Sequence, residues 1–195
     1  MSASLRIAIA EDEQELLTDL QEILVEMGHQ VVAAVRSGTE LITACQATQP
    51  DMIITDIKMP GLDGLGAVTK ISEVRPTPVI ILSAYHDQEY VDRAIKDHVM
   101  AYLVKPINES SLKASIELAS CRFKEFQALQ QHTSDLEQAL QERKVIERAK
   151  GVLMKRASLS EPDAFRRLQL LSSQKNKKMI EIAKMIVDAE EAFMG

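Results

Sequence analysis

The sequence lacks the features of a membrane-spanning or exported protein. None of its 195 residues belongs to a run of about 18 consecutive apolar residues, the length that a helix needs to cross a bilayer. The first residues, MSASLRIAIAEDEQ, contain a short apolar run that acidic residues follow at once, unlike a signal peptide. We therefore expect a cytoplasmic protein without a membrane segment.

Residue types that bind transition metals or act as nucleophiles are few and scattered. Cys45 and Cys121 lie far apart without the spacing of a metal site, so we expect two reduced and mostly buried thiols. The four histidines form no HxxxH motif: His29, His86, His98 and His132. The sequence thus gives no indication of a zinc site or of a nucleophile paired with histidine.

Glycine, proline and aromatic residues are scarce in the last part of the chain. Residues 108–150 contain neither glycine nor proline, which predicts one long helix, or a helix that continues with a slight break. Apolar residues there step by three and four and predict a short coiled-coil-like seam: Phe126, Leu129, Thr133, Leu136 and Leu140. We expect this helix to join two copies of the chain in a homodimer.

Net charge changes sign along the chain. Residues 1–117 hold 9 basic and 18 acidic residues, a net charge of −9, and residues 118–142 have a net charge of −2. Residues 143–195 hold 12 basic and 7 acidic residues, a net charge of +5. This asymmetry indicates two domains with different partners, and the basic part favours nucleic acid over a protein partner.

The first 117 residues alternate short apolar stretches with segments of helical periodicity. The stretches LRIAIA, QVVAAV, DMIITD, TPVIILSA and AYLVKP predict five strands. Helical segments separate them: EQELLTDLQEILVEMG, SGTELITACQATQP, GLGAVTKISEVRP and DQEYVDRAIKDHV. The alternation predicts an α/β fold, a five-stranded parallel, doubly wound sheet with helices on both faces. In such sheets, sites form at the carboxyl ends of the strands.

Polar residues follow the predicted strands where such a site would lie. Glu11 and Asp12 follow the first strand, and Asp56 ends the third. Three carboxylates in one pocket repel each other unless a cation lies between them, and Mg²⁺ prefers carboxylate oxygen. A metal beside a carboxylate neutralises an incoming phosphoryl group, so that the carboxylate can act as nucleophile. Lys105, after the fifth strand, supplies positive charge, and Ser83, ending the fourth, a hydroxyl donor.

These motifs resemble the receiver domain of bacterial response regulators over about residues 5–118. The motifs are EDE after the first strand, DIKMPGLDG around Asp56, LSA at Ser83 and KP at Lys105. The resemblance implies that Asp56 accepts a phosphoryl group from a histidine kinase, with Ser83 and Lys105 beside it. It also implies that Ser83 and Tyr102 form a switch pair and that the Lys105–Pro106 bond is cis. The implied Mg²⁺ ligands are the carboxylates of Glu11, Asp12 and Asp56 and the backbone carbonyl of Lys58.

The last 53 residues resemble the ANTAR domain, an RNA-binding antitermination module. The matching stretches, RKVIERAKGVLMKR, LSEPDAFRRL and SSQKNKKMIEIA, cover about residues 143–190. Where that family often has Ala-Met, this chain has Ser172 and Ser173. We expect two short helices, residues 164–171 and 178–192, after the long one, and hence a small three-helix domain.

Apolar and basic residues alternate in the ANTAR-like stretch. We expect a core on the long helix formed by Ile146, Val152, Leu153 and Met154. Small residues at 149 and 151 would allow another helix or an RNA backbone to approach closely. The bases expected to face outwards to RNA phosphates are Arg148, Lys150, Lys155, Arg156, Lys175, Lys177 and Lys178. Only Phe165 and Phe193 follow Phe126 among aromatic residues, which favours a structured hairpin loop over a stacked single strand.

Together these features predict a response regulator in three parts: a receiver domain (1–118), a coiled-coil-like helix (119–142) and an ANTAR domain (143–195). We expect it to bind RNA hairpins, to control transcription antitermination and not to be an enzyme. One alternative is a signalling protein whose last helices bind a protein partner. The other is a DNA-binding regulator, although the acidic stretch SLSEPD looks too long for a helix-turn-helix turn.

Overall fold

The computed structural model describes residues 4–83 and 99–194. The fourth predicted helix, DQEYVDRAIKDHV, falls almost entirely on residues 84–98 and so lies outside the described residues. No helix in the described part of the chain is long and apolar enough to cross a membrane.

Five parallel strands form one sheet in the order β2-β1-β3-β4-β5. The strands are β1 (Arg6–Ala10), β2 (Gln30–Val35), β3 (Met52–Asp56), β4 (Val79–Ser83) and β5 (Val99–Val104). The helices among the described residues are α1 (Gln14–Glu26), α2 (Gly38–Thr48), α3 (Gly64–Val74), α4 (Glu109–Ala157), α5 (Glu161–Lys175) and α6 (Met179–Met194). This strand order is that of flavodoxin-like folds, so the predicted fold class is confirmed.

The sheet has an apolar core on each face. Side chains at alternate positions of a strand point to opposite faces, so Ile7 and Ile9 of β1 pack with α1 and the start of α4. Ala8 and Ala10 pack on the other face, against α2 and α3. Every residue of β3 and β4 is buried, as expected for central strands covered on both sides. Because all five strands are parallel, their carboxyl ends lie together at one edge of this sheet.

Helix α4 runs for 49 residues without interruption, which confirms the prediction of one long helix. Gly151 lies inside it, and no atom comes within 4 Å of where its Cβ would be. The predicted seam residues Leu129, Leu136 and Leu140 are more than half exposed. The chain divides into two compact units, Met1–Gln127 and Ala128–Gly195.

The second unit has its own small apolar core. Its buried members are Ala149, Leu168, Ile182, Ala183 and Val187. Of the residues predicted to build this core, Ile146 and Leu153 pack against it, and Val152 is half-buried. Met154 is 39% exposed, so its assignment to the core was wrong.

Both short helices are longer than predicted. Helix α5 begins at Glu161 because Ser160 caps it, accepting a hydrogen bond from the Asp163 amide, and because Pro162 fits the first turn. The last residue of the helix is Lys175, and Asn176 caps it in the left-handed conformation, with a φ of 49°. Residues 158–160 and 176–178 therefore form turns of three residues each, shorter than the predicted helix bounds implied. Turn length does not separate this unit from a helix-turn-helix.

The two cysteines have different surroundings. Cys45 is buried between α2 and α3, and burial raises the pKa of its thiol to about 11, which makes it unreactive at neutral pH. Cys121 is exposed on α4, so the prediction that both thiols are mostly buried was wrong for Cys121.

Candidate functional site

Three carboxylates meet at the carboxyl edge of the sheet. Strands β1 and β3 are neighbours and parallel, with Ala10 opposite Thr55, so the residues that follow β1 lie beside Asp56. Carboxylate oxygens of Glu11, Asp12 and Asp56 all lie within 4.8 Å of one another. Glu11 and Asp56 are buried, which concentrates negative charge where water is scarce.

Lys105 lies between two of these carboxylates. Its Nζ is 2.8 Å from Glu11 Oε2 and 3.3 Å from Asp56 Oδ1. The Lys105 backbone N–H donates to the Ser83 carbonyl at 3.0 Å, which extends the pairing of β4 with β5 to the site. The Lys105–Pro106 bond is cis, as the sequence comparison with receiver domains implied.

One lysine does not balance the charge of three carboxylates. Burial raises the pKa of Glu11; the hydrogen bond from Lys105 opposes this, and the charge of Asp56 adds to it. Burial also raises the pKa of Asp56, against the charge of Lys105 and together with that of Asp12. Burial alone would lower the pKa of Lys105, but its hydrogen bond to Glu11 and the charge of Asp56 outweigh burial and raise it. The site retains an excess of negative charge.

The donor set fits a hard divalent cation. Mg²⁺ binds through one or two carboxylates and keeps several waters, and three convergent carboxylates supply the charge that it needs. Lys58, whose carbonyl is the remaining implied ligand, lies two residues beyond β3 in the exposed part of the loop to α3. Its role as a ligand stays a prediction.

The motif DIKMPGLDG shapes the loop that carries Asp56. A Cβ on Gly64 would lie 1.8 Å from the Asp56 carbonyl oxygen, so only glycine allows α3 to start this close to β3. The Gly64 N–H donates to the Ile57 carbonyl at 2.9 Å, and Asp63 caps α3 by accepting from the Gly66 N–H. These contacts hold the start of α3 against the end of β3, next to Asp56.

Arg36, which was not among the predicted site residues, holds the loop after β1. Its Nε and Nη2 donate to the backbone carbonyl of Asp12 at 3.1 and 2.7 Å. The Arg36 N–H donates to Glu40 Oε2 at 2.9 Å, which ties the loop to α2. Arg36 follows β2, the neighbour of β1, so the rule that placed Asp56 would also have placed Arg36 at this edge.

The implied switch residues lie on neighbouring strands. Ser83 is buried at the end of β4. Tyr102, opposite Ile81 in β5, is half-buried and packs on the face covered by α2 and α3. Their action as a switch stays a prediction.

In the second unit, Lys150 does not face outwards, which corrects the sequence-based expectation. The residue is only 8% exposed, and its Nζ contacts both Glu147 carboxylate oxygens at 2.9 Å and Glu161 Oε1 at 2.7 Å. Hydrogen bonds to Glu147 and Glu161 raise the pKa of Lys150, so it stays charged. Glu161 starts α5, and Lys150 thus clamps α4 to that helix. The Glu147–Lys150 spacing of three was the signal for this pair.

The other predicted bases differ in how they are paired. Arg148 contacts Glu191 and Arg156 contacts Glu190, each at 2.8 Å, although both arginines remain more than half exposed. Four of the predicted bases are exposed and have no ion pair within the described residues: Lys155, Lys175, Lys177 and Lys178. Three of these four lie together where α5 ends and α6 begins.

Comparison with known proteins finds two domain families in the chain. A family model described as the response regulator receiver domain matches residues 7–117, and an ANTAR domain model matches residues 134–187. The transcriptional regulatory protein PdtaR of Mycobacterium tuberculosis H37Rv is 38% identical over 183 residues, which cover 94% of this chain and 89% of PdtaR.

Solved structures match the first unit. A response regulator receiver domain protein from Clostridium thermocellum matches with a TM-score of 0.57 and 31% identity, over 62% of this chain and 98% of that one. The signal receiver domain of a modulated diguanylate cyclase from Desulfovibrio desulfuricans G20 matches with a TM-score of 0.58 and 27% identity, over 63% and 98%.

Proposed function

Because this chain belongs to the response regulators, with a receiver domain followed by an ANTAR domain, we propose that it is a cytoplasmic regulator of transcription antitermination. A histidine kinase phosphorylates Asp56, and the ANTAR domain then binds RNA hairpins. The observation that carries the first half is the cluster of three carboxylates with Lys105. The division into residues 1–118, 119–142 and 143–195 is part of the proposal.

Phosphoryl transfer uses the groups that surround Asp56. A carboxylate oxygen of Asp56 attacks the phosphorus of the phosphohistidine, the N–P bond breaks, and the imidazole leaves with its electron pair. A Mg²⁺ ion held by Glu11, Asp12 and Asp56 would neutralise charge on the phosphoryl oxygens. Lys105, 3.3 Å from Asp56, is close enough to exchange its contact with the carboxylate for one with the new phosphoryl group. Ser83 offers a hydroxyl donor at the adjacent strand end.

The long helix offers a route from the receiver domain to the output. Ser83 and Tyr102, the proposed switch pair, lie on β4 and β5, and β5 leads directly into α4. Leu129, Leu136 and Leu140 expose an apolar stripe on α4. Burying a leucine side chain fully is worth about 1.5–3 kcal/mol, so pairing two copies along this stripe would stabilise a dimer. Phosphorylation is proposed to favour this dimer.

RNA binding is assigned to the basic surface of the second unit. The proposed contacts are Arg148, Lys155, Arg156, Lys175, Lys177 and Lys178. The lysines at 155, 175, 177 and 178 are the strongest among them because no carboxylate of the described residues pairs with them. Lys150 is not among the contacts because two glutamates already bind its amine. A dimer would present two such surfaces to paired hairpins.

Two measurements test the two halves. Wild-type protein should incorporate phosphate from a small-molecule phosphodonor only with Mg²⁺, and Asp56→Asn should not; labelling of this variant at the wild-type rate would refute the assignment of Asp56. Lys177→Ala combined with Lys178→Ala should flatten the slope of log affinity for an RNA hairpin against log salt by about 0.7–0.9 per lost contact.

The same assay separates the alternative functions. A DNA-binding regulator would bind duplex DNA of equal length more tightly than the hairpin. A regulator that acts on a protein partner would bind neither nucleic acid with a marked salt dependence. A family match to an RNA-binding module favours the hairpin.

A further inference from the structure

A groove of about 650 Å³ lies in the second unit between α4, α5 and α6. This volume falls within the range of about 300–1,000 Å³ for small-ligand pockets. Apolar side chains from all three helices form most of its lining, among them Val152, Leu171, Met185 and Ile186. Met185 is 46% exposed, so part of this apolar surface is open to solvent.

Charged residues stand among these apolar side chains. Arg156 and Lys175 line the groove with Glu190, whose side chain is 13% exposed and contacts Arg156 Nε at 2.8 Å. The two bases suit a phosphate. Glu190 does not suit a phosphate, because a carboxylate repels it. Glu190 nevertheless lines this groove.

A nucleobase satisfies all three features at once. Its flat apolar faces suit aliphatic walls, and its flanking phosphates suit Arg156 and Lys175. Glu190 accepts hydrogen bonds, and adenine, cytosine and guanine each carry an exocyclic amino group that donates them. Uracil carries no amino group, and its one donor, the N3–H, lies between two carbonyl oxygens that repel a carboxylate. We propose that this groove receives one unpaired RNA base with an amino group and that Glu190 accepts from that group.

This inference rests on the proposed RNA binding and adds a specificity-determining residue to it. Loop bases of RNA are read by hydrogen bonds to their edges once they are splayed out of the stack. Glu190 would provide such a contact, and Arg156 would turn from Glu190 towards the phosphate as the base enters. A carboxylate that only shields Arg156 from RNA would instead weaken binding of every base alike.

Glu191 provides a matched control. It is the next residue on α6, it pairs with Arg148 at the same 2.8 Å, and its side chain is 57% exposed and does not line the groove. Substituting glutamine at either position removes one negative charge and one arginine partner while keeping the size of the side chain. Only Glu190→Gln changes an acceptor inside the groove.

The experiment uses the full chain, with and without a small-molecule phosphodonor. A pool of RNA hairpins with randomised loops is selected on the wild-type protein, and each loop position of a bound hairpin is then replaced by A, C, G and U. At one position the wild type should prefer an amino-bearing base to uracil by about tenfold. Glu190→Gln should lose most of this preference because glutamine also donates, and Glu191→Gln should keep it.

Other results overturn the inference in distinct ways. Equal gains in affinity for all four bases in Glu190→Gln would make Glu190 a shield for Arg156. Indifference of the wild type to every loop position would exclude a base in the groove. Failure of the wild type to bind any hairpin would refute the proposed function itself.

A second variant tests whether RNA enters the groove without changing the ion pair between Glu190 and Arg156. Ala189→Met adds bulk to the lining of the groove and leaves Glu190 and Arg156 in place. It should weaken the selected hairpin by about tenfold at an unchanged melting temperature, and unchanged affinity would show that RNA does not enter the groove.

Discussion

Asp56→Asn should stabilise the first unit when Mg²⁺ is absent, although it removes the phosphoacceptor. Asp56 lies within 4.8 Å of Glu11 and Asp12 oxygens, and at an effective dielectric constant of about 20 each such pair repels by about 3.5 kcal/mol. The attraction between Asp56 and Lys105, which lie 3.3 Å apart, contributes about 5 kcal/mol of the opposite sign. By this sum the repulsions exceed the attraction by about 2 kcal/mol. Burial, the main cause of the raised pKa of Asp56, adds to the cost of the charge.

The sign of the pH dependence follows from that pKa. Because the folded-state pKa of Asp56 is raised, the folded wild type favours the protonated carboxyl, and stability is lost as pH rises through the folded pKa. The neutral amide avoids this loss. The free energy of unfolding of Asp56→Asn at pH 7 should therefore exceed that of the wild type by about 1–2 kcal/mol, which corresponds to a Tm higher by about 3–8 °C. This difference should vanish in acid.

Scanning calorimetry of the full chain in EDTA and in Mg²⁺ measures this effect. Mg²⁺ at 100 times its Kd should stabilise the wild type by about 2.7 kcal/mol and the variant much less. Asp19→Asn is the control, since Asp19 is exposed on α1 and outside the carboxylate cluster. A lower Tm of Asp56→Asn in EDTA, or an undiminished response to Mg²⁺, would refute the reasoning.

Three further predictions concern other parts of the chain. Arg36→Met and Arg36→Lys should each weaken Mg²⁺ binding by about tenfold, because neither can hold the Asp12 carbonyl with two donors; equal affinity in a metal titration would leave Arg36 without a positioning role. Lys150→Met should lower the Tm of the second unit but leave the salt slope of RNA binding unchanged, and a flatter slope would restore Lys150 as a phosphate contact. Leu136→Asp should keep the phosphorylated chain monomeric in analytical ultracentrifugation, whereas a stable dimer would place the interface elsewhere.

The sequence predicted the receiver fold well because strand and helix signals agree along it. Buried central strands such as β3 read as continuous apolar runs, and the acids at their ends could be grouped by strand order alone. Strand order would also have placed Arg36 at this edge, but its hydrogen bonds to the Asp12 backbone carbonyl have no signal in a pattern of side chains.

The second unit was harder to predict because charge spacing does not reveal which partner a base has. The sequence pattern predicts that Lys150 faces solvent, because its partner Glu161 lies on a different helix, α5. Glu190 is separated from Arg156 by 34 residues, so their contact appears only in three dimensions. Helix α5 begins before the predicted residue 164 because the acids and the proline after Ser160 form its first turn, a position for which these residue types are typical.

The coupling between Asp56 and RNA is the central claim, and one titration tests it most directly. The affinity of the full chain for a selected RNA hairpin is measured at fixed salt with and without phosphorylation of Asp56, together with Asp56→Asn. The account predicts that phosphorylation tightens binding of the wild type and leaves Asp56→Asn unchanged. Equal affinity of the phosphorylated and unphosphorylated wild type would contradict it.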